Sequence, residues 1–128
     1  DISELVLVSS KNHQQPKLQH LLSSLCFAET KKIGSVGCKV ASILRGESDV
    51  YISLSGKTSP KDWDMAAPHA IIQAAGGFFT HADEGVLSYL NSDYSQSGCL
   101  IASHGKAHTK ICHKAMEYFS KEETDFIV

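Results

Sequence analysis

Short apolar runs alternate along the chain with segments whose apolar residues recur at helical spacing. The runs predict buried strands, and the periodic segments predict helices with one buried side. Strands are predicted at 5–9, 27–33, 50–54, 78–80, 86–89 and 99–102, and helices at 16–25, 36–46, 64–76 and 106–119. Because strands and helices alternate, we expect an α/β domain whose mostly parallel (mixed) sheet has helices on both faces.

Turn residues refine this pattern in the second half of the chain. The Asp-Glu-Gly turn at 83–85 indicates a hairpin between the strands on either side of it, which adds one antiparallel excursion to the sheet. Pro68 lacks the N–H that a helix interior requires, so its helix is expected to begin no earlier than about Asp64. The glycine pair at 76–77 then ends that helix.

Three polar loops follow predicted strands, at 9–13, 34–39 and 56–64. In open α/β sheets, ligands bind outside the carboxyl ends of the strands. We therefore expect these loops to converge on one site.

Composition narrows the class of protein. A length of 128 residues fits one domain, and a net charge of −2 gives no basic surface for nucleic acid. No apolar run reaches the length of a membrane span, and we expect no signal peptide. The four cysteines are scattered, which favours reduced thiols and a cytoplasmic location. The chain begins at Asp1 without an initiator Met, so we expect a piece of a longer protein.

Asp64 is the first candidate for chemistry. A carboxylate at the start of a helix and facing a cleft suits Mg²⁺, which prefers oxygen ligands and keeps several waters. The small residues Ala66 and Ala67 would let a ligand approach the helix start. A helix-capping role explains Asp64 equally well, and the two roles are compatible.

The other candidates are anion-binding groups. Gly34 and Gly37 can adopt backbone conformations that expose N–H groups just before a helix, and Lys39 on its first turn can reach a phosphate. The spacing by itself favours a plain helix start with a solvated lysine. Ser10 and His13 supply donors after the first strand, although a surface loop without a binding role explains them more simply.

A zinc site and two hydrolase classes have little support. His104, His108 and Cys112 share a helical spacing, but no fourth ligand is evident, and a solvated face with a buried Cys112 is favoured. The chain has neither a G-x-S-x-G elbow nor a Walker loop, so the sequence does not support a serine hydrolase or a nucleoside triphosphatase.

The segment Asp62-Trp63-Asp64-Met65-Ala66-Ala67-Pro68, followed by Ala75-Gly76-Gly77, resembles the W-D-x-A-[AG] signature and downstream glycine pair of the inositol monophosphatase superfamily. The resemblance runs from the first strand to about Ala102. It implies that residues 1–128 are the C-terminal domain of this fold, the C-terminal half of the sugar-phosphatase architecture.

Within that superfamily the chain looks most like the 3′(2′),5′-bisphosphate nucleotidases. Ser9-Ser10-Lys11-Asn12-His13 is similar to their Ser/His loop, and Gly37-Cys38-Lys39 is similar to their turn ending in Lys. By this resemblance Asp64 binds a metal ion, while Ser10, His13, Gly37, Lys39 and Asp64 contact substrate. The cofactor is expected to be Mg²⁺ and the substrate 3′-phosphoadenosine 5′-phosphate, converted to AMP.

The superfamily's other metal ligands include a D-P-x-D-G-T motif, which does not occur in these residues. The resemblance therefore implies a missing N-terminal domain as partner, and a chain that is inactive by itself. A face left uncovered without that domain would favour self-association, for example as a homodimer. An inositol or sugar-phosphate phosphatase, and a non-catalytic module that binds a phosphorylated ligand, remain the alternatives.

Overall fold

The computed structural model describes residues 2–10, 16–55, 61–89, 94, 96–105 and 107–121. After a 3₁₀ turn at Ile2–Glu4, five strands and four helices follow in the described residues. The strands are β1 (Val6–Ser10), β2 (Glu29–Ile33), β3 (Val50–Ser55), β4 (Phe78–His81) and β5 (Gly98–Ser103). The helices are α1 (Pro16–Leu25), α2 (Val36–Leu44), α3 (Asp62–Ala74) and α4 (His108–Lys121).

The strands form one mixed sheet in the order β2-β1-β3-β5-β4. β1 pairs in parallel with β2 and β3, whereas β5 is antiparallel to both β3 and β4. Four strands therefore share one direction and β5 alone runs against them. The predicted α/β class, with a mixed and mostly parallel sheet between helices, is confirmed.

Helices cover both faces of the sheet. On one face α1 and α4 bury Leu18, Leu21, Ile111 and Ala115 against Leu7, Val50, Ile52, Leu54, Cys99 and Ile101. On the other face α2 and α3 bury Val40, Ile43, Met65 and Ile72 against Val8, Tyr51, Phe79, Leu100 and Ala102. β5 is buried along its whole length, because it lies between two strands and under helices on both sides. Among the described helices, none is long and apolar enough to cross a membrane.

The predicted hairpin between 78–80 and 86–89 is wrong. After the turn at 83–85, residues 86–89 form no strand, and β5 takes the antiparallel position beside β4. Leu87 packs into the core shared by α2 and α3, and the Tyr89 hydroxyl lies 2.8 Å from His69 Nδ1 on α3. Because these two side chains contact the helices, residues 86–89 lie against the helices and do not join the sheet.

The predicted start of α3 is also wrong, since the helix begins at Asp62 and contains Pro68. Pro68 cannot donate the bond that the Asp64 carbonyl would accept in an unbroken helix. Its ring is buried, and the neighbouring Met65 and Ile72 are fully buried against the sheet. Tertiary packing thus keeps the residues on both sides of the proline helical.

The glycine pair after α3 has a packing role. Gly76 adopts a left-handed φ of 87°, which reverses the chain after the helix. A Cβ on Gly77 would stand 2.6 Å from the Ser103 carbonyl oxygen and 2.8 Å from Ile72 Cγ1. Only glycine lets the chain pass between α3 and the end of β5.

Gly77→Ala is expected to destabilise the protein by about 1–3 kcal/mol, because the added methyl group must displace backbone as well as a side chain. Urea unfolding measures the change. Gly34→Ala is the matched control, since a Cβ there meets no atom within 4 Å. Equal unfolding midpoints for the two variants would contradict the packing role of Gly77.

The three residues of the candidate zinc site, His104, His108 and Cys112, have separate partners. His104 Nε2 lies 2.9 Å from Asp49 Oδ1, and Cys112 is buried beside Thr80. His108 Nδ1 lies 2.7 Å from Ser103 Oγ, and its Nε2 lies 2.8 Å from Thr80 Oγ1. Within the described residues no group of three or more His, Cys, Asp or Glu side chains is arranged to hold a metal ion.

His108 links α4 to the sheet as a neutral ring. Thr80 donates its hydroxyl hydrogen to the His81 carbonyl, so Nε2 of His108 donates to Thr80 and Nδ1 accepts from Ser103. Burial lowers the pKa of His108, and the charge of Glu84 opposes that shift. The folded state therefore disfavours the protonated ring.

Stability is expected to fall as the pH drops below about 6.5, the unfolded-state pKa of histidine, toward the lower folded-state pKa. In that window the unfolded chain binds more protons than the native one. His108→Gln keeps a donor and an acceptor but does not titrate, so its loss of stability between pH 7.5 and 5.5 should be smaller. Urea unfolding at both pH values measures this, and an unchanged pH dependence would contradict it.

Candidate anion and metal site

Three parallel strands bring the predicted site residues to one edge of the sheet. β1 ends at Ser10, which pairs with Ile33 at the end of β2. α2 begins just beyond β2, and β3, which is parallel to β1, ends at the same edge before α3 begins at Asp62. Ser10, Gly37, Lys39 and Asp64 therefore share this edge, whereas His13 lies outside the described residues.

The start of α2 is built around Ser35. Its Oγ accepts a hydrogen bond of 3.0 Å from the Cys38 N–H, which makes it the N-cap. Ser35 itself has the left-handed φ of 57°, with ψ at 146°, whereas Gly34 and Gly37 do not have a positive φ. The expectation that the two glycines supply the unusual backbone conformation is wrong. Ser35 adopts that conformation instead, and this places its hydroxyl over the first turn of the helix.

Gly37 nevertheless leaves the helix start open. It is exposed, and a side chain added there would meet no other atom within 4 Å. The first turn of a helix carries N–H groups without helical acceptors, together with the positive end of the helix dipole. An anion can therefore approach the backbone at this position.

Lys39 is buried, with only 3% of the residue exposed. Its Nζ donates to the Ser35 carbonyl at 3.3 Å and lies 5.0 Å from the centre of the Tyr51 ring. No carboxylate of the described residues pairs with this ammonium. Burial lowers its pKa, and the neighbouring Cys38 thiol has a smaller, opposite effect. The expectation of a solvated lysine, which the spacing by itself favours, is therefore wrong.

Tyr51 and Ser35 are contacts of Lys39 that the sequence pattern did not single out. Tyr51 is 3% exposed, and burial raises the pKa of its hydroxyl, with hydrogen bonding to Ser53 opposing the shift. An alternating strand indicates which residues share a face, so Tyr51 could have been assigned to one side of the sheet. That this side faces Lys39 depends on how α2 packs.

Asp64 is exposed at the third position of α3. Its Oδ2 accepts a hydrogen bond of 3.1 Å from the Lys61 N–H, so the carboxylate does cap the helix. Lys61, and not Asp64, is the N-cap residue. The capping bond uses one oxygen, and no other described residue bonds the carboxylate, so it can still contribute to a cation site.

The neighbouring Asp62 is oriented differently. Its Oδ1 accepts a 2.8 Å hydrogen bond from Gln96 Nε2. Of the two acids on this turn, Asp64 is thus the exposed one, and its carboxylate accepts one hydrogen bond from the described residues. One exposed carboxylate fits Mg²⁺ as a contributed ligand, because Mg²⁺ needs further oxygens to complete its octahedron.

Comparison with known families identifies the family of the chain. The model of the inositol monophosphatase family matches residues 2–120. The chain belongs to the inositol monophosphatase family. The family resemblance expected from the signature around Asp64 is thereby confirmed.

Curated relatives include both nucleotide and inositol phosphatases. Inositol monophosphatase 3 of Xenopus laevis is 36% identical over 93 residues, covering 68% of this chain and 25% of the relative. The 3′(2′),5′-bisphosphate nucleotidase 1 of Dictyostelium discoideum is 28% identical over 80 residues, covering 62% and 25%. The 3′-phosphoadenosine 5′-phosphate phosphatase of Mycobacterium leprae is 26% identical over 92 residues, covering 72% and 33%.

Solved structures show the same fold. The Thermotoga maritima IMPase superposes with a TM-score of 0.70 at 18% identity, covering 94% of this chain and 43% of that one. A staphylococcal IMPase-II bound to inositol monophosphate gives a TM-score of 0.74 at 14% identity, covering 94% and 46%. The chain therefore spans less than half of each of these family members.

Lys39→Met tests the anion site directly. Phosphate at ten times its dissociation constant is expected to stabilise the wild-type chain by about 1.4 kcal/mol. The variant should lose this effect yet remain at least as stable as wild type without phosphate, because the buried charge has no acidic partner.

Unfolding midpoints with and without phosphate, at constant ionic strength, measure both effects. Lys110→Met, on the exposed side of α4, is the matched control and should respond like wild type. An equal phosphate response in Lys39→Met and wild type would contradict an anion site at Lys39.

Proposed function

We propose that this chain is the substrate-binding part of a Mg²⁺-dependent phosphomonoesterase that acts on 3′-phosphoadenosine 5′-phosphate or a close relative. The observation that carries the proposal is the buried Lys39 ammonium, which has no acidic partner among the described residues and lies at an open helix start. A buried charge is tolerated when an opposite charge accompanies it, and substrate phosphate supplies that charge.

The two helix starts have different roles in this proposal. At α2, Gly37 and Lys39 hold a phosphate group through backbone N–H groups and an ammonium, with Ser10 nearby at the end of β1. At α3, Asp64 supplies one carboxylate to the metal ion. When bound, Mg²⁺ neutralises phosphate charge and polarises the attacking water. We assign His13 to the substrate only by family resemblance.

The resemblance to bisphosphate nucleotidases assigns to Lys39 the phosphate that is not cleaved, and this favours a bisphosphate nucleotide over a monophosphate. Two of the relatives described above are named for bisphosphate nucleotide or 3′-phosphoadenosine 5′-phosphate chemistry. The second candidate is an inositol phosphate, which the 36% identity to inositol monophosphatase 3 favours.

The remaining metal ligands would come from a further domain, and the chain by itself would be inactive. The outward face of α3 suits such a contact. After Asp64 the helix contains no Asp, Glu, Lys or Arg. Trp63 is 68% exposed and Ile71 is 54% exposed on that face. A helix that is apolar on its solvent side is usually covered by another surface. A homodimer formed through the same face is the competing outcome.

Asp64→Asn in the full-length enzyme is expected to reduce phosphate release from 3′-phosphoadenosine 5′-phosphate by about 100-fold or more, because one charge-neutralising ligand is lost. Steady-state phosphate release at saturating Mg²⁺ measures this. Glu29→Gln, an exposed carboxylate at the opposite edge of the sheet, is the matched control.

Wild-type turnover by the Asp64→Asn enzyme would contradict the proposal. A higher kcat/KM for inositol 1-phosphate than for the bisphosphate nucleotide would select the second candidate. Binding of either compound by a full-length protein that releases no phosphate would indicate a non-catalytic module.

A further inference from the structure

The first turn of α3 needs support from outside the helix. The N–H groups of a first turn lack the i−4 acceptors of a helix interior, and here the Asp64 N–H donates to the Lys61 carbonyl at 2.9 Å. This turn is also where Asp64 is exposed. The bond from the Lys61 N–H to Asp64 Oδ2 links two residues of the same turn, so it does not fix the turn relative to the sheet. Other contacts must set the position of the carboxylate.

Two hydrogen bonds join this turn to the chain that leads into β5. The Asp62 N–H donates to the Tyr94 carbonyl at 2.9 Å. Gln96 Nε2 donates to Asp62 Oδ1 at 2.8 Å and to the Ser88 carbonyl at 2.6 Å. The Gln96 amide therefore links three parts of the chain: the start of α3 at Asp62, the backbone at Ser88 and its own position just before β5.

Gln96 is an unusual choice for such a buried position, with only 2% of the residue exposed. Burying a polar amide costs free energy unless it is hydrogen-bonded, and an apolar side chain of similar length would fill the space without that requirement. The two donated bonds satisfy the amide N–H groups and fix the orientation of the side chain. A planar amide with two partners constrains the turn more tightly than apolar packing does.

We propose that Gln96 is a positioning residue for the metal-binding turn: by holding Asp62 it sets the place of Asp64, two residues further along. The assignment of Asp64 to metal rests on the proposed function, whereas the clamp between Gln96 and the helix start does not. Gln96 touches neither metal nor substrate in this scheme. It acts through the backbone of residues 62–64.

Amide hydrogen exchange on this chain tests the clamp without any activity. In Gln96→Met, the N–H groups of Asp62 and Lys61 are expected to exchange at least about tenfold faster, the change that loss of one hydrogen bond to a charged group produces. Asp62→Ala should accelerate exchange of the same N–H groups. Asp62→Asn keeps an acceptor oxygen, so these groups should exchange more slowly in it than in Asp62→Ala. Emission from Trp63, the single tryptophan, gives a second report on the same turn.

Ser48→Ala is the matched control. It removes a buried hydrogen bond of 2.6 Å between Ser42 and Ser48, at the far end of α2, and should leave exchange at Asp62 unchanged after correction for global stability. If the Asp62 amide hydrogen exchanges no faster in Gln96→Met than in Ser48→Ala, the proposed clamp between Gln96 and the helix start is overturned.

The positioning role is tested in the full-length enzyme. Gln96→Met should raise the Mg²⁺ concentration needed for half-maximal activity on the order of 10- to 100-fold, with the substrate KM at saturating Mg²⁺ nearly unchanged. A merely structural role would lower the amount of folded enzyme and leave the Mg²⁺ requirement as it is.

The two proposals fail in different ways. Full activity in Asp64→Asn would overturn the proposed function. The hydrogen-exchange measurement would still test whether Gln96 holds the helix start. A normal Mg²⁺ requirement in Gln96→Met, in an enzyme that does need Asp64, would overturn the positioning role alone.

Discussion

Parallel strands place the starts of two helices at one edge of the sheet, and the candidate site depends on this constraint. β2 leads into α2 and β3 leads toward α3, and both strands run parallel to β1. Each helix consequently presents its N-terminus, with the partial positive charge of the helix dipole, to the same region. The antiparallel β5 does not disturb this arrangement, because it lies on the far side of β3.

The edge combines a positive part with a negative part. Lys39 and the open turn at Gly37 form the positive part, and the exposed carboxylate of Asp64 forms the negative part. Neither part is electrostatically complete, since the ammonium is buried without an acid among the described residues and one carboxylate cannot saturate a hard cation. A phosphate ester with its metal ion supplies both missing charges, which is the chemistry proposed here.

α3 is held at both ends by contacts that its own sequence does not contain. At its start the Gln96 amide and the Tyr94 carbonyl hold Asp62. At its end Gly77 lets the chain pass close to the Ser103 carbonyl. The helix can therefore tolerate Pro68 in its interior. Its position is set by the residues just before β5 and by β5 itself.

Local patterns determined the elements of this chain. Apolar periodicity located every strand of the described sheet and all four described helices, and the signature around Asp64 with its glycine pair indicated the family. These features are short-range, because they depend on side-chain spacing and on where glycine and proline allow the backbone to turn.

Contacts between distant residues decided the rest. The burial of Lys39 follows from how α2 packs on Tyr51, and the fate of residues 86–89 follows from the contact of Tyr89 with His69. Spacing along a chain says which residues share a face, but not what that face meets. Only the tertiary structure could show that a lysine on an ordinary first turn is enclosed and that a glutamine before β5 holds the turn carrying Asp64, since both depend on partners far away in sequence.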